Sequence, residues 1–588
     1  MTGPASRQRI ITNPVRLTGV IHPEQLASIV SVDALVRHCQ DVGIEPPAFD
    51  VVTLAGDLAT QRAAQLALSL DQPTDEDGEL AAQQGQELLE LKAEELLQTL
   101  FDRLNVQTDV LRWRPGNPEA ARVARVAFVR LYEAGLLIRS ESVLDSCPGC
   151  GTVLDATDVD EVECDVPVFR IALPCGDSQL HINLSQPELL IGAVAVAVPL
   201  GMRTAPSVEL PLLGASVPVI ELDGVTQPIV VVPGHDALSY EIAKTHNLPI
   251  RQVLDGDGVV RVAGPLEALT VADARTTSVE MLSMSGVLVD NAQGRIVRRE
   301  CHRCHSELIP LLGAHWILPM SSLVDGVVEA ANEGLVAFSS PHALHAFVAA
   351  ATRNDSWTLS QQLWSGVQVP IATCLDCGSV AVSVDETTSC GTCMGTLEQH
   401  SDVIDGRFVA ALTPLAMLGW PGPLTDELVT LVLGPNSLET WAVPVAALGL
   451  ALANVLPFHQ VVLDNPDPRL ANAEVQTIHS LVGQANRLGP EVMRVAFLLA
   501  NPDASFAREL VGALDNPANS HTYEDDLGDV VEAYEKSMRM LDAVGALSLL
   551  QASLNEGVSE AGRGVVASLA APLLGRNAKQ VSNANSKA

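Results

Sequence analysis

The sequence predicts an α/β protein split by a β-rich insertion and followed by a short helical region. Three observations carry this. Strand-like and helical stretches alternate over residues 9–66, and Val-rich runs broken by Pro and Gly fill residues 166–300. Eight of the eleven cysteines stand in four Cys-x-x-Cys pairs, two of which frame that Val-rich stretch.

In chain order, residues 9–11 and 49–54 read as strands, with a helix over 26–39 between them. An acidic break at 71–79 precedes a helix over about 79–104. There Leu88, Leu89, Leu91, Leu96, Leu97 and Leu100 form an apolar face among Glu and Gln. That face is expected on a core and the charges in water. Runs 193–198, 217–222 and 229–232 are strands of the insertion, and from 308 to about 500 the mixed pattern returns. The most apolar run, 441–458, carries Pro444, Gly449, Asn454 and Pro457, so it reads as a buried helix rather than a membrane span. A helix from Leu527 presents Val530, Val531, Tyr534, Met538, Leu541 and Val544 at helical spacing, and the polar tail 576–588 is expected to be disordered.

Composition excludes several functions. The chain has 588 residues with 35 basic against 71 acidic, a formal charge of −36. Lysine occurs only at Lys92, Lys244, Lys536, Lys579 and Lys587, which removes lysine-dependent chemistry between residues 245 and 535. Nucleic-acid affinity comes largely from Lys and Arg releasing counterions, so tRNA is not expected as a partner. Residues 1–9 lead straight into Ile10 and Ile11 without the pattern of a signal peptide, and no membrane association is expected. The expected compartment is cytoplasmic, where cysteines serve as thiols or metal ligands rather than disulfides.

The pairs are Cys147/Cys150, Cys301/Cys304, Cys374/Cys377 and Cys390/Cys393. A two-residue gap lets both thiolates of a tight turn reach one metal at about 2.3 Å, and two such turns complete a four-sulfur zinc site. The last two pairs, with Gly378 and Gly391 helping the turns, read as a self-contained ribbon over 370–398. The first two stand at the ends of the β-rich segment, where one zinc would clamp both crossings. Two closed structural zinc ions are therefore expected; disulfides and free core thiols are the alternatives. Cys39, Cys164 and Cys175 lack such partners and read as ordinary buried thiols.

Between these pairs the sequence resembles a class I aminoacyl-tRNA synthetase of the valyl/isoleucyl/leucyl subgroup, nearest to valyl. Ala127, Phe128, Leu131, Tyr132, Glu133, Gly135 and Leu136 precede Cys147-Pro148-Gly149-Cys150 and Thr152-Val153-Leu154, similar to "AF-x-x-LYE-x-GL … CP-x-C-x-T-x-L". Pro310, Leu311, Leu312, Trp316 and Met320 resemble "EPLLS-x-QWF-x-x-M", and Gln362-Leu363-Trp364 with Gly366 and Pro370 resembles "RQLWWGHRIP". The resemblance runs from about residue 9 to 499. It implies a Rossmann-type catalytic domain split by an editing-type β domain and a zinc ribbon. The implied division is 1–160 and 306–500 for the two catalytic-like halves, 161–305 for the insertion, 501–575 for a helical remnant and 576–588 for the tail.

The same alignment departs from the family where chemistry belongs. The His-x-Gly-His signature falls on His22-Pro23-Glu24-Gln25 after Thr18-Gly19-Val20-Ile21. Glu24 adds bulk and negative charge where ATP should lie, and Gln25 supplies no cation, so ATP is not expected to bind. The Lys-Met-Ser-Lys-Ser signature should lie between Val461 and Gly489, ahead of Val492-Met493-Arg494, yet that interval has no lysine; Arg469 and Arg487 are its only permanent cations. The family's substrate-ammonium aspartate falls on Leu54. The pocket "DTWFSS" reads Asp405-Gly406-Arg407-Phe408-Val409-Ala410, where Arg407 could pair with Asp405 or Glu24 or bind an acidic ligand; a paired relic is the favoured reading. In the insertion, "TTRPET-x-x-GD" maps onto residues 184–193, keeping Ser185, Pro187 and Gly192. His235 and Asp236 remain of "GHD", with Ser239 at the ammonium-binding aspartate. A structural role for His235 is favoured over an acid/base pair with Asp236.

The resemblance thus implies a degenerate valyl-type paralogue. The expectation is a catalytically inactive pseudo-synthetase acting as a zinc-stabilised scaffold or as a binding module for an unknown protein or small molecule. A divergent ligase or adenylate-forming enzyme using ATP on an amino acid is the alternative.

Overall fold

The computed structural model describes residues 7–494 apart from 42, 69–75, 112, 115, 177, 203, 354–355, 386–388, 464–475 and 492. The expected helix from Leu527, the remnant 501–575, the tail and Arg469 lie outside the described residues.

These residues form two compact units. One comprises the chain up to Leu136, Pro319–Trp357 and the chain from Trp364; the other comprises Leu137–Leu318 with Thr358–Leu363. The domain limits expected at 160/161 and 305/306 fall inside the second unit. The reason is local: strand Ile138–Cys147 pairs antiparallel with Ile309–Leu318, so the first cysteine pair and the residues after the second belong to the inserted unit.

The first unit is built on six parallel strands: β1 (Gln8–Arg16), β2 (Ala48–Leu54), β3 (Asp109–Leu111), β4 (Ala337–Phe338), β5 (Leu428–Leu433) and β6 (Gln460–Leu463). Their order is β4-β6-β5-β1-β2-β3. The chain enters mid-sheet, extends one edge, and later returns to build the other. The order therefore reverses between β1 and β5, and in open parallel sheets ligands bind at the carboxyl ends beside such a reversal.

Helices α1 (Pro23–Asp41), α2 (Leu58–Leu68), α3 (Glu76–Leu104), α4 (Pro118–Glu133), α5 (Gly406–Ala411), α6 (Val443–Ala453) and α7 (Ile478–Leu488) belong to this unit, as do helices Ser321–Asn332 and Pro341–Thr352. Ile29 and Val32 of α1, Leu97, Leu100 and Phe101 of α3 and Ile478 and Leu481 of α7 share one core with β1 and β2. The apolar run near 441–458 is a buried helix as expected, entered through a π-helical turn (Leu438–Ala442) and stopped by Asn454 in the left-handed conformation. No helix among the described residues is long and apolar enough to cross a membrane.

The expected inner face of α3 needs correction. Leu88 and Leu91 are exposed, whereas Gln86, Glu90 and Glu94 are buried. The fully buried Leu97, Leu100, Phe101 and Leu104 set the helix phase, and that phase carries Glu94, Glu90 and Gln86 inward on earlier turns. Buried carboxylates persist there because donors meet them: Gly56 N–H (3.1 Å) and Gln86 Nε2 (3.0 Å) on Glu90, and Arg114 at 3.5 Å on Glu94.

The second unit is antiparallel in the main. Long strands Val159–Cys175 and Leu288–Cys301 pair over most of their length and take Ser178–Leu184 alongside. A four-stranded sheet contains the three expected Val-rich strands as Ala195–Pro199, Ala215–Leu222 and Ile229–Val231, with Ser207–Leu210 at one edge. Ile171, Leu173, Ile182, Val196, Val198 and Leu210 form its core.

Candidate metal centres and the cleft of the parallel sheet

All eight paired cysteines gather in the two expected sets, each with its sulfur atoms within 4.8 Å of one another. Each second cysteine is followed by a residue with left-handed φ: Gly151 (71°), His305 (58°), Gly378 (69°) and Met394 (62°). That residue's N–H closes the turn on the first cysteine's carbonyl, at 2.8, 2.8, 2.9 and 2.9 Å in the same order. The four turns thus share one geometry, although two lack glycine at the position that favours it. Gly378 fills this role; Gly391, expected to help, does not, and Met394 takes the left-handed position in its pair.

In the first set Sγ of Cys147 lies 3.3 Å from Cys304, and Cys150 lies 3.9 Å from Cys301 and 3.7 Å from Cys304. In the second, Cys374–Cys393 and Cys377–Cys390 are 3.4 and 3.7 Å. A tetrahedron with metal–sulfur bonds of about 2.3 Å has edges near ~3.8 Å, whereas a disulfide needs about 2.05 Å. The donor sets therefore fit a tetrahedral thiolate-bound metal. The first set is closed in by protein, with Cys147, Cys150 and Cys301 buried; the second exposes Cys377 and Cys393. The Ser379 hydroxyl, 3.1 Å from Cys377 and 3.0 Å from Cys390, pulls both thiols below their ordinary value by hydrogen bonding to the thiolate.

At the carboxyl ends of the parallel strands of the first unit, three of the expected residues make contacts with their own unit. Glu24, in the first turn of α1, is buried against Gly434 at the carboxyl end of β5, so close that a Cβ there would collide with Oε1. His22 Nδ1 accepts the Glu24 N–H at 3.3 Å and stands 3.8 Å from Glu24 Oε2. Gln25 Nε2 donates to the carbonyls of Asn13 (3.2 Å) and Pro14 (2.7 Å), tying the side chain to β1. The first-signature strand Val20–Ile21 pairs with Gln476–Thr477, and α7 follows with Arg487 exposed.

On the other side of β1, Leu54 is buried at the end of β2, and Leu17, Ala55 and Ala93 form a small apolar cluster. Gly406 lets α5 close onto β2, because a Cβ there would meet the carbonyls of Ala55 and Gly56. Arg407 pairs with Asp405 rather than Glu24: Nε and Nη2 are 2.9 and 2.7 Å from Asp405 Oδ2, which also accepts Trp357 Nε1 at 2.9 Å. Asp405 Oδ1 caps α5 through Arg407 N–H at 2.9 Å. Sequence reasoning missed Asp57, buried and 2.8 Å from Arg16, because two residues separate it from the position the alignment marks.

In the second unit the acid/base pair does not form. The His235 Nδ1–H donates to Pro310 O at 2.9 Å, while Nε2 accepts the Val253 N–H at 2.9 Å, so both nitrogens serve the backbone. Asp236 instead caps helix Ala237–Thr245 by accepting the Ser239 N–H at 2.6 Å. Ser185 is half-buried in the turn after Ser178–Leu184. Burial pushes the His235 pKa below its ordinary value, partly opposed by the Pro310 carbonyl. The unfolded histidine takes up a proton first on acidification, so this residue's contribution is complete above about pH 6.5 and is lost as pH falls toward the folded value. Urea midpoints of wild type and His235→Gln are therefore expected to converge from about pH 7.5 to about 5.5; a constant gap would refute the assignment.

A mid-entered Rossmann-type parallel sheet, an antiparallel insertion that carries four clustered cysteines and a four-cysteine ribbon together define the class I synthetase fold. Residues 116–465 match the family "tRNA synthetases class I (I, L, M and V)", and the chain belongs to that family. It is 29% identical to the valine–tRNA ligase of Thermotoga maritima over 79% of this chain and 56% of that protein. With that of Carboxydothermus hydrogenoformans it shares 31% over 58% and 41%. The chain thus spans about half the length of the curated relatives it matches. Among solved structures, the LeuRS of an Agrobacterium radiobacter K84 LeuRS–tRNA–LeuAMS complex aligns with TM-score 0.51 at 13% identity, covering 99% of this chain and 86% of that one. Mycobacterium tuberculosis methionyl-tRNA synthetase with methionyl-adenylate aligns with TM-score 0.50 at 11% identity, covering 98% and 93%. The subgroup with which the chain groups is the valyl-like one.

Proposed function

We propose that this valyl-like member of the class I family is a pseudo-synthetase, a zinc-stabilised scaffold that binds a protein or small molecule and does not activate an amino acid. The observation that carries this reading is Glu24 packed on Gly434 at the reversal point of the sheet. A nucleotide phosphate brought there would meet a carboxylate instead of glycine backbone, and the neighbouring Gln25 amide is spent on Asn13 and Pro14. The amino-acid side of the cleft holds the Arg407–Asp405 pair rather than an open acidic position. Zinc is the metal whose preference matches two sets of four thiolates, and four protein ligands leave no position for a reactive water. With −36 formal charges and few lysines, tRNA is not the partner.

Pyrophosphate exchange with ATP and each amino acid tests the reading. The expected result is no exchange above background, with valine included. Robust exchange with any amino acid would overturn it and establish the divergent ligase instead.

A further inference from the structure

The two four-cysteine sets differ in how their sulfur atoms meet solvent. Cys147, Cys150 and Cys301 are buried and Cys304 is half-buried, so the first set offers one accessible thiol. The second offers two, Cys377 and Cys393, and Met394 beside Cys393 is itself exposed.

Three of the four cysteine turns share a further contact. The N–H of the pair's first cysteine donates to the carbonyl two residues beyond the second: Cys301 to Ser306, Cys374 to Ser379 and Cys390 to Gly395, each at 2.9 Å. Two of these equivalent positions carry a hydroxyl that reaches the sulfurs. Ser306 Oγ lies 3.2 Å from Cys304 Sγ, and Ser379 Oγ lies 3.1 Å from Cys377 Sγ and 3.0 Å from Cys390 Sγ. The third position is glycine, and a Cβ there would collide with the Asp376 carboxylate. Cys304 and Cys377 thus each have a serine hydroxyl two residues on, whereas Cys393 has Gly395. A hydroxyl donating to a metal-bound thiolate withdraws charge from the sulfur and lowers its nucleophilicity. Cys393 therefore combines access to solvent with the less quenched sulfur. It stands 3.4 Å from Cys374, against 3.7 Å for Cys377–Cys390.

We propose that the ribbon's four-cysteine centre is a hydroperoxide-sensitive switch in which Cys393 reacts first and Cys374 resolves it, while the first centre resists. The Cys393 thiolate attacks one oxygen of hydrogen peroxide; the sulfur–oxygen bond forms, the oxygen–oxygen bond breaks and hydroxide leaves. The Cys374 thiolate then attacks the Cys393 sulfur, and a second hydroxide leaves as the disulfide forms. Two thiolates supply the two electrons that one peroxide takes up. Zinc, left with Cys377 and Cys390, is released to solvent. The proposal rests on zinc occupancy of both sets and is independent of whether the chain activates an amino acid.

The test treats the full zinc-loaded chain with hydrogen peroxide. A chromogenic indicator follows released zinc, and dimedone trapping with peptide mass mapping follows each cysteine. Metal analysis before peroxide is added reads the zinc assignment separately; fewer than two ions would overturn both. One zinc per chain is expected to leave at least about tenfold faster than the other, with dimedone on Cys393 and a Cys374–Cys393 disulfide. Dithiothreitol and zinc should restore the centre. Asp376→Ala with Gly395→Ser frees the space and supplies the hydroxyl, so its release should be at least about tenfold slower than that of Asp376→Ala alone. Ser379→Ala should admit dimedone at Cys377 as well as Cys393, and it keeps the test decisive if the double variant does not hold zinc. Equal release from the two centres, first labelling at Cys304 or Cys377 in the wild type, or a disulfide within one Cys-x-x-Cys pair would each overturn the proposal.

Discussion

Cys301→Ser is expected to remove one of two zinc ions per chain and to open the second unit to protease around its paired cysteine turns. Cys301 ends the long strand Leu288–Cys301 and meets Cys150, from the turn after Ile138–Cys147, across 3.9 Å. A metal bound there would join segments some 150 residues apart in sequence, which only the folded unit brings together. Structural zinc bound by thiolates contributes on the order of 10 kcal/mol in small domains, so three ligands should hold the ion far more weakly than four. The thiolates must be deprotonated to bind, so acid or a strong chelator should have the same effect on both centres, sooner on the second, whose Cys377 and Cys393 are exposed. Cys39→Ser, in α1 and part of neither set, should keep both ions. Metal analysis with limited proteolysis reads the result; a single zinc in the wild type, or two in Cys301→Ser, would overturn the assignment.

Asp33→Ala should destabilise the first unit by about 3–5 kcal/mol, read as the urea midpoint. Asp33 is fully buried in α1, where Oδ2 accepts Arg37 Nε at 2.9 Å and lies 2.7 Å from Arg494 Nη1. Its Oδ1 accepts the Gln107 N–H at 2.6 Å. Burial, with Arg37 adding to it, pushes the Arg494 guanidinium below its ordinary value, and Asp33 is the largest charge that opposes this. Removing the carboxylate strands two buried cations. Arg494→Met should cost less, because Asp33 keeps Arg37 and the methionine fills apolar volume beside Met493. Equal losses in the two variants, or less than about 1 kcal/mol for Asp33→Ala, would contradict this account.

The cysteine sets were legible because a Cys-x-x-Cys gap is short-range geometry, and a repeated short gap leaves few ways to complete a four-sulfur site. The strands of β1, β2 and the Val-rich insertion were legible for a related reason: local periodicity and turn residues mark them where they stand. Glu24, on which the proposed reading rests, was equally visible, since a charged side chain needs no fold to be noticed.

Other features depend on parts of the chain that sequence spacing does not join. The outward turn of Leu88 and Leu91 followed from the phase set by Leu97, Leu100 and Phe101, and the inward Glu90 was tolerable because the Gly56 N–H and Gln86 Nε2 met it. Arg494 and Asp33 carry no local signal of their pairing. The amino-acid sequence by itself marked most strands and helices and the four paired-cysteine turns, and it holds the residues on which the proposed loss of chemistry rests. Tertiary structure alone decided which charges were buried and which partner each received, because the free energy of a buried charge depends on donors that long-range packing brings to it.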